Sequence, residues 1–299
     1  DQAWRRRVLK TIGLSGSVVA AFGLIQYTGA CQALFPVFEQ YAQRVYSVFG
    51  NQDLYGGYLA IAIPILLHGT FEKQSRDSFL GLALAIPGIL ISGSRSAWLA
   101  AAIGTAAVLF LTLIDATLRE SGGNPTRRRL SVGFVVSLTF VTILLAPMPT
   151  TQRIASSFRD DDRGYHTRLW IWQGTVNMFR EAPFLGVGLG NYAYWSPRYL
   201  GESIQGKNGN PRILGECDAD QPHSDPLRIL AETGLAGIAC CVWMGFRVLR
   251  AVLSSKHAIP AVAPAIGGTL ALAAFSLFND PLDSAPHAFS GLLLAGILL

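Results

Sequence analysis

The most regular feature of the chain is a series of apolar runs separated by polar links. Most are about 18–20 residues long, enough to cross a bilayer as an α-helix. The pattern predicts eight transmembrane helices, at 8–27, 54–71, 79–92, 97–114, 130–147, 229–249, 259–278 and after residue 284. We therefore expect an all-α, polytopic transmembrane helix bundle.

One long polar segment, 148–225, divides the predicted spans into two groups. Spans one to five occupy 1–147, and spans six to eight occupy 226–299. We expect the two groups and the loop between them to form one domain.

The polar segment itself contains two recognisable patterns. Residues 166–180 carry apolar side chains at helical spacing, which predicts an amphipathic helix; they are Leu169, Trp172, Val176 and Phe179. The run Gly186-Val187-Gly188-Leu189-Gly190 then interrupts regular structure. Because no strand–helix context surrounds it, a turn that packs the loop is a better explanation than a phosphate-binding loop.

Composition agrees with a membrane location. Hydrophobic residues make up 51% of the 299 and charged residues 14%, against about 25% charged in a soluble domain, and mean hydropathy is +0.36. The net charge of +5 is small. The basic residues of the chain lie beside predicted spans rather than in one soluble patch, which argues against nucleic-acid binding.

The positions of Lys and Arg predict the orientation. Segments on one side of the predicted bundle hold 13 of them and the short loops on the other side hold 2, so the first side is cytoplasmic by the positive-inside rule. The 13 are Arg5, Arg6, Arg7, Lys10, Lys73, Arg76, Arg119, Arg127, Arg128, Arg129, Arg247, Arg250 and Lys256, and the 2 are Arg44 and Arg95. Arg95, the segment 148–225 and the turn 279–284 then share the extracytoplasmic face.

Arg95 lies in the short link between the third and fourth predicted spans. Span three supplies about 14–16 apolar residues before it, roughly 21–24 Å of helix, less than a hydrocarbon core of about 30 Å. We therefore expect Arg95 below the outer surface, in the bundle or a cavity. At that depth an ionisable residue is a functional candidate. The alternatives are a snorkelling arginine or a structural ion pair.

His223 lies where the long polar segment meets the sixth predicted span. The following Asp225-Pro226 is a good N-cap and first-turn pair for a helix. An imidazole near a helix N-terminus is favoured in its neutral form and can act as a general base; a structural, hydrogen-bonding role is equally open. Arg168, at the start of the amphipathic helix, is a candidate that charge alone does not separate from other loop arginines.

Metal binding is not predicted. The clusters Asp160-Asp161-Asp162 and Asp218-Ala219-Asp220 could hold a cation, and the second has the spacing found in nucleotide-sugar transferases. Those enzymes need a soluble α/β domain for the nucleotide, which no segment here could form. Cys217 with His223 supplies two zinc ligands, too few for a site. Cys31 and Cys217 could pair on the outer face, although their spacing does not require it.

Three blocks of the chain occur in a characteristic order. Ser92-Gly93-Ser94-Arg95-Ser96 comes first, followed by Arg168-Leu169-Trp170 with the turn 183–190. His223-Ser224, nine residues and Gly234-Leu235-Ala236-Gly237 complete the set. They resemble the Ser-x-Ser-Arg segment, the loop helix with its Pro-x-x-Gly-x-Gly turn, and the His-[Asn/Ser/Gln]-x9-Gly-x-x-Gly signature of bacterial O-antigen ligases. The resemblance extends from Val48 to the end of the chain.

This resemblance implies a GT-C-like protein of the bacterial inner membrane, with its active site facing the periplasm and with further spans preceding this fragment. It implies inverting transfer of a preassembled glycan from undecaprenyl diphosphate to a hydroxyl acceptor, without a metal, cofactor or nucleotide sugar. The expected acceptor is lipid A–core. A growing glycan (a polymerase) and a protein hydroxyl (an O-oligosaccharyltransferase) are alternatives, and a lipid-linked glycan transporter is a further one.

Roles for individual residues also follow from the resemblance. His223 corresponds to the catalytic histidine, and Arg95 and Arg168 correspond to arginines that hold the donor diphosphate. Ser224, Gly234 and Gly237 are the supporting residues of the signature. Because the candidates share one predicted face, chemistry is favoured over transport.

Overall fold

The computed structural model describes residues 2–30, 45–71, 76–118, 163–205, 220–254 and 259–299. All regular secondary structure in these residues is helical, which confirms the predicted all-α fold class. It comprises one short 3-10 helix, Pro281–Asp283, and nine α-helices. The α-helices are α1 (Gln2–Tyr27), α2 (Gln52–Thr70), α3 (Arg76–Ile91), α4 (Arg95–Leu118), α5 (Arg163–Glu181), α6 (Tyr192–Gln205), α7 (Asp225–Ser254), α8 (Ile259–Ser276) and α9 (Ala285–Leu298).

Length and hydropathy support fewer spans than the eight predicted. In the part of the chain that the structure describes, only α1, α4 and α7 are both long and apolar enough to cross a membrane, and α8 and α9 are apolar but shorter. Polar residues near the ends of α2, Asp53 and His68 among them, lower the mean hydropathy of this helix. With 16 residues, α3 is about 24 Å long. The apolar helices nevertheless indicate a membrane-embedded protein.

Several predictions concern residues outside the described ranges. They include the fifth predicted span at 130–147, the pair Cys31 and Cys217, and the acidic residues 160–162 and Asp218. The division at 147 and 225, and the expectation of a single domain, stay predictions. By internal contacts the chain forms two compact units. The first contains Asp1–Ala155, Ser255–Phe275 and Asp283–Leu299, and the second contains Ser156–Ser254 and Ser276–Leu282.

The first unit is organised around α2, which is buried along most of its length. Asn51 starts this helix, because its side-chain oxygen accepts hydrogen bonds from the amides of Asp53 and Leu54, as an N-cap does. Small residues let neighbouring helices approach closely. A Cβ on Gly104 of α4, for example, would lie 2.6 Å from the carbonyl oxygen of Gly267 in α8.

The second unit contains the predicted amphipathic helix as α5, but a different face of it is buried. The buried positions are Ile171, Gly174, Thr175 and Met178, whereas Leu169 is exposed. Gly174 explains the difference, because a Cβ there would lie 3.3 Å from the backbone of Tyr199 in α6. Close helix packing therefore selected the face with the small residues rather than the most apolar one.

Candidate functional site

A break in α7 at Gly234 shapes the second unit. Gly234 has φ 62° and ψ −156°, a conformation that only glycine adopts readily. A Cβ there would lie 2.5 Å from the carbonyl carbon of Phe184. At the break, the amide of Leu235 donates to the carbonyl of Pro183 (2.8 Å) and the amide of Ala236 donates to the carbonyl of Phe184 (3.1 Å).

The glycine-rich turn bonds to α7 in the other direction as well. The amides of Val187 and Gly188 donate to the carbonyls of Ala231 (3.0 Å) and Glu232 (2.9 Å). Gly186 has φ 66°, and a Cβ on it would collide with the backbone of Glu232. The turn therefore satisfies backbone groups that the break leaves without helical partners. The amides of Val187 and Gly188 are used in packing, which agrees with the predicted turn that packs the loop.

Buried polar contacts tie the start of α6 to α7. The Glu232 carboxylate is buried, and its Oε1 accepts a hydrogen bond from the amide of Tyr192 (3.2 Å). The Tyr192 hydroxyl lies 2.7 Å from Oγ1 of Thr175 in α5. Burial raises the pKa of Tyr192 to about 12, so its hydroxyl keeps its proton at physiological pH. These contacts make α5, α6 and α7 one framework behind the His223 loop.

His223 lies in a short loop that α5 holds from one side. The indole Nε1 of Trp172 donates a hydrogen bond to the carbonyl of Pro222 (2.9 Å), and the Trp172 ring lies 6.3 Å from the ring of Phe278. His223 has φ 51°, an uncommon backbone conformation for a residue other than glycine. Such conformations persist only where surrounding contacts impose them, and they are concentrated at functional sites.

Asp280 is the residue that faces the His223 ring. Its Oδ2 lies 3.7 Å from Nδ1 of His223, beyond hydrogen-bond length but within the range of an ion pair. The side chain of Asp280 is 3% exposed and that of His223 is 42% exposed. Oδ1 of Asp280 accepts a hydrogen bond from the amide of Ser224 (2.9 Å). One carboxylate thus contacts both residues that begin the signature.

Asp225 attaches the segment that carries Asp280 to the start of α7. Its amide donates to the carbonyl of Asn279 (3.1 Å), and its Oδ2 accepts from the amide of Leu282 (3.1 Å). Its Oδ1 accepts from Arg228 (3.0 Å). The predicted N-cap at Asp225 is therefore displaced by one position. Asp225 is already helical, and the carbonyl of Ser224 accepts the first helical bond from the amide of Arg228.

The three supporting residues of the signature have structural places in the same unit. Ser224 donates its amide to Asp280, and Gly234 makes the break in α7. Gly237 lies one turn after Thr233, and a Cβ on Gly237 would collide with the Thr233 hydroxyl. The spacing of the signature therefore matches three features of α7: its first helical segment, the break at Gly234, and the close contact between Gly237 and Thr233.

Arg168 is partly buried in α5, in the same unit as His223. It precedes Trp172 by four residues, so the two side chains lie on the same face of the helix. Trp172 contacts the carbonyl of Pro222, next to His223. The face of α5 that contains Arg168 is therefore the one that contacts the His223 loop.

Arg95 belongs to the first unit, where it is partly buried as the first residue of α4. The preceding turn is polar and compact: Oγ of Ser92 accepts from the amide of Ser94 (3.2 Å), and Oγ of Ser94 lies 3.3 Å from Oγ of Ser96. The link predicted at 93–96 corresponds to a shorter interval, 92–94, between α3 and α4, and Arg95 is already helical.

Candidate metal ligands are sparse in the described ranges. No group of three His, Cys, Asp or Glu side chains in them could hold a metal ion. Asp220 is described and exposed, whereas its cluster partner Asp218 lies outside the described residues.

Two residues of this site are not identified by the sequence argument. Asp280 belongs to a polar turn that is predicted to share the face of His223, but nothing in the sequence singles it out from Asp283. Trp172 is predicted as an apolar residue of an amphipathic helix, yet its indole nitrogen is what contacts the His223 loop. The only signal for Asp280 is an acidic residue between two apolar runs.

The comparisons with known proteins agree with these features. The family model described as O-antigen ligase matches residues 80–242, which include Arg95, Arg168, His223 and both glycines of the signature. A search of curated proteins finds no match. Since the matched region covers more than half of the chain, the protein belongs to the O-antigen ligase family.

Proposed function

We propose that the protein is an inverting, metal-independent GT-C-type glycosyltransferase of the bacterial inner membrane, with its active site on the periplasmic side. It transfers a preassembled glycan from undecaprenyl diphosphate to a hydroxyl group of lipid A–core. The observation that carries the proposal is the half-exposed His223 beside the buried carboxylate of Asp280, in a chain of the O-antigen ligase family.

His223 is the general base of this proposal. Nδ1 is the ring nitrogen measured near the carboxylate of Asp280. A carboxylate on that side favours the tautomer with its proton on Nδ1, which leaves the lone pair of Nε2 to accept a proton. A base must reach the hydroxyl that it activates. The partial exposure of His223 supports such access.

The proposed reaction is a single displacement. Nε2 accepts the proton of the acceptor hydroxyl while the acceptor oxygen bonds to the anomeric carbon, on the side opposite to the diphosphate. The bond from that carbon to the diphosphate oxygen breaks, and its electron pair leaves with undecaprenyl diphosphate. The configuration at the anomeric carbon is inverted. Asp280 stabilises the imidazolium that forms.

Arg95 and Arg168 are assigned to the donor diphosphate. A guanidinium group is always charged and can bind two phosphate oxygens at once, so it stabilises the leaving diphosphate without a metal ion. The position of Arg95 supports this role. At the first residue of α4 the helix dipole favours an anion and opposes a cation, so helix stability does not explain an arginine there.

Two other acceptors are alternatives to lipid A–core. The same chemistry with a growing glycan as acceptor makes a polymerase, and with a protein hydroxyl it makes an O-oligosaccharyltransferase. In a deletion strain, loss of all polymer attachment with accumulation of lipid-linked polymer indicates a ligase. Attachment of single repeat units indicates a polymerase.

The direct test uses the purified full-length protein in proteoliposomes with undecaprenyl-diphosphate-linked glycan and lipid A–core. We expect glycan-modified lipid A–core as product, at the same rate in EDTA. Transfer that EDTA abolishes and a divalent cation restores would contradict the metal-independent mechanism. Absence of transfer to any hydroxyl acceptor, with movement of the lipid-linked glycan across the bilayer, would indicate the transporter instead.

A further inference from the structure

An uncharged, apolar stretch interrupts the polar part of the second unit. Residues 182–197, between Glu181 and Arg198, include no Asp, Glu, Lys or Arg. Four large side chains in this stretch are mostly exposed: Phe184 (74%), Leu185 (76%), Leu189 (81%) and Tyr194 (79%). Neighbouring large apolar residues with this exposure mark a surface that contacts a membrane or another molecule.

The backbone beneath these side chains has a defined position on α7. The carbonyls of Pro183 and Phe184 accept hydrogen bonds from the amides of Leu235 and Ala236, at 2.8 and 3.1 Å. The amides of 187 and 188 return two further bonds to α7. The turn 183–190 is thus attached at the residue where α7 resumes after its break.

Leu235 also marks one end of the apolar part of α7. From Leu235 to Ser254 the helix has 20 residues, about 30 Å at 1.5 Å per residue, which equals the thickness of a hydrocarbon core. Val242, Trp243 and Met244 are exposed in succession, so the helix presents apolar side chains on more than one side. Arg247 lies near its other end, which the positive-inside rule places in the cytoplasm. Leu235 is therefore at the outer end.

We propose that Phe184, Leu185 and Leu189 insert into the acyl chains of the bilayer beside the outer end of α7. The occupant of this surface is lipid because the turn is bonded directly to Leu235, the residue at which the lipid-facing part of the helix begins. The surface is continuous with that helix in the same unit. Residues 225–233 join the anchored turn to His223, so the anchor sets the height of His223 above the hydrocarbon core.

Nitroxide labels test this placement without any assay of transfer. The background is the full chain in proteoliposomes with Cys31, Cys217, Cys240 and Cys241 each replaced by Ala. Labels are introduced separately by L185C and L189C. V242C is the matched lipid control in α7, and Q173C, at an exposed position of α5, is the matched water control. Collision rates are measured with oxygen, which is concentrated in lipid, and with a polar nickel complex, which stays in water.

We expect the labels at 185 and 189 to behave like the label at 242. Collisions with oxygen should exceed those with the nickel complex, and nickel collisions should be roughly tenfold or more below those at 173, since polar solutes are excluded from lipid. Labels at 185 and 189 that match 173 would overturn the proposal. So would labels that neither probe reaches, because a protein surface would then cover the turn.

Discussion

Oδ2 of Asp280 lies 3.7 Å from Nδ1 of His223, and the other oxygen of the same carboxylate accepts the amide of the next residue, Ser224. The contact joins two loops that are distant in the sequence. Asp225 fixes their relative position through its bonds to Asn279 and Leu282. The site around His223 is therefore built by the segment that follows α8 as much as by the signature itself.

Asp280→Asn should lower kcat for glycan transfer by about tenfold to a hundredfold, because the imidazolium formed in the reaction loses its nearby negative charge. The amide oxygen of Asn can still accept the amide of Ser224, so the melting temperature should change little. Asp283→Asn, an exposed acid in the same turn, is the matched control and should leave kcat unchanged. An unchanged kcat in Asp280→Asn would show that the carboxylate does not assist His223.

Gly234→Ala should destabilise the second unit. The conformation at Gly234 costs about 1–3 kcal/mol for a residue with a Cβ, and the added Cβ would lie 2.5 Å from the carbonyl carbon of Phe184. We expect a lower melting temperature in detergent and a smaller yield of folded protein. The control is Gly245→Ala in the same helix, where no atom lies within 4 Å of the added Cβ. Equal melting temperatures for the two variants would show that the conformation of Gly234 and its packing against Phe184 do not require glycine.

Trp172→Phe should reduce transfer by roughly threefold to tenfold, since it removes one hydrogen bond to Pro222, about 1 kcal/mol, but keeps an aromatic ring beside Phe278. The rate of transfer at saturating donor is the quantity to measure. Trp170→Phe, on the same helix, is the matched control and should transfer at the wild-type rate. A Trp172→Phe enzyme with full activity would mean that the bond does not position the His223 loop.

Arg168→Lys should lower kcat/KM for the lipid-linked donor by about tenfold to a hundredfold. Lysine keeps the charge but cannot make a bidentate contact with two phosphate oxygens. Arg180→Lys, exposed at the other end of α5, keeps the net charge of the helix and serves as the control. If both variants lose the same activity, the effect is not specific to Arg168 and does not support its place at the diphosphate. A kcat/KM for the donor equal to wild type in Arg168→Lys would also remove it from the diphosphate site.

Local features of the site were predictable because they depend on neighbouring residues. The interval between α3 and α4, which ends just before Arg95, follows from a change of hydrophobic pattern, and α5 follows from helical spacing. The start of α7 was predicted to within one residue, because Asp and Pro favour the first turn of a helix.

Features that depend on distant contacts were not predictable. The face that α5 buries does not follow from its apolar spacing, because Gly174 lets α6 approach closely and apolar spacing does not report backbone proximity. Asp280 could not be assigned to His223, since no local pattern links a turn after α8 to a loop before α7. Gly234 is a glycine of the signature, so its position was known from the sequence. Only the φ of Gly234 and the hydrogen bonds between α7 and residues 183–188 explain why glycine is needed there.

The proposed mechanism depends on His223 accepting the proton of the acceptor hydroxyl. Its most direct test is the transfer rate of His223→Ala in proteoliposomes, with binding of the lipid-linked donor measured in parallel and His68→Gln as a matched histidine control. We expect a kcat lower by about 10²–10⁴-fold, with donor binding unchanged and the control at the wild-type rate. Transfer by His223→Ala at the wild-type rate would contradict it.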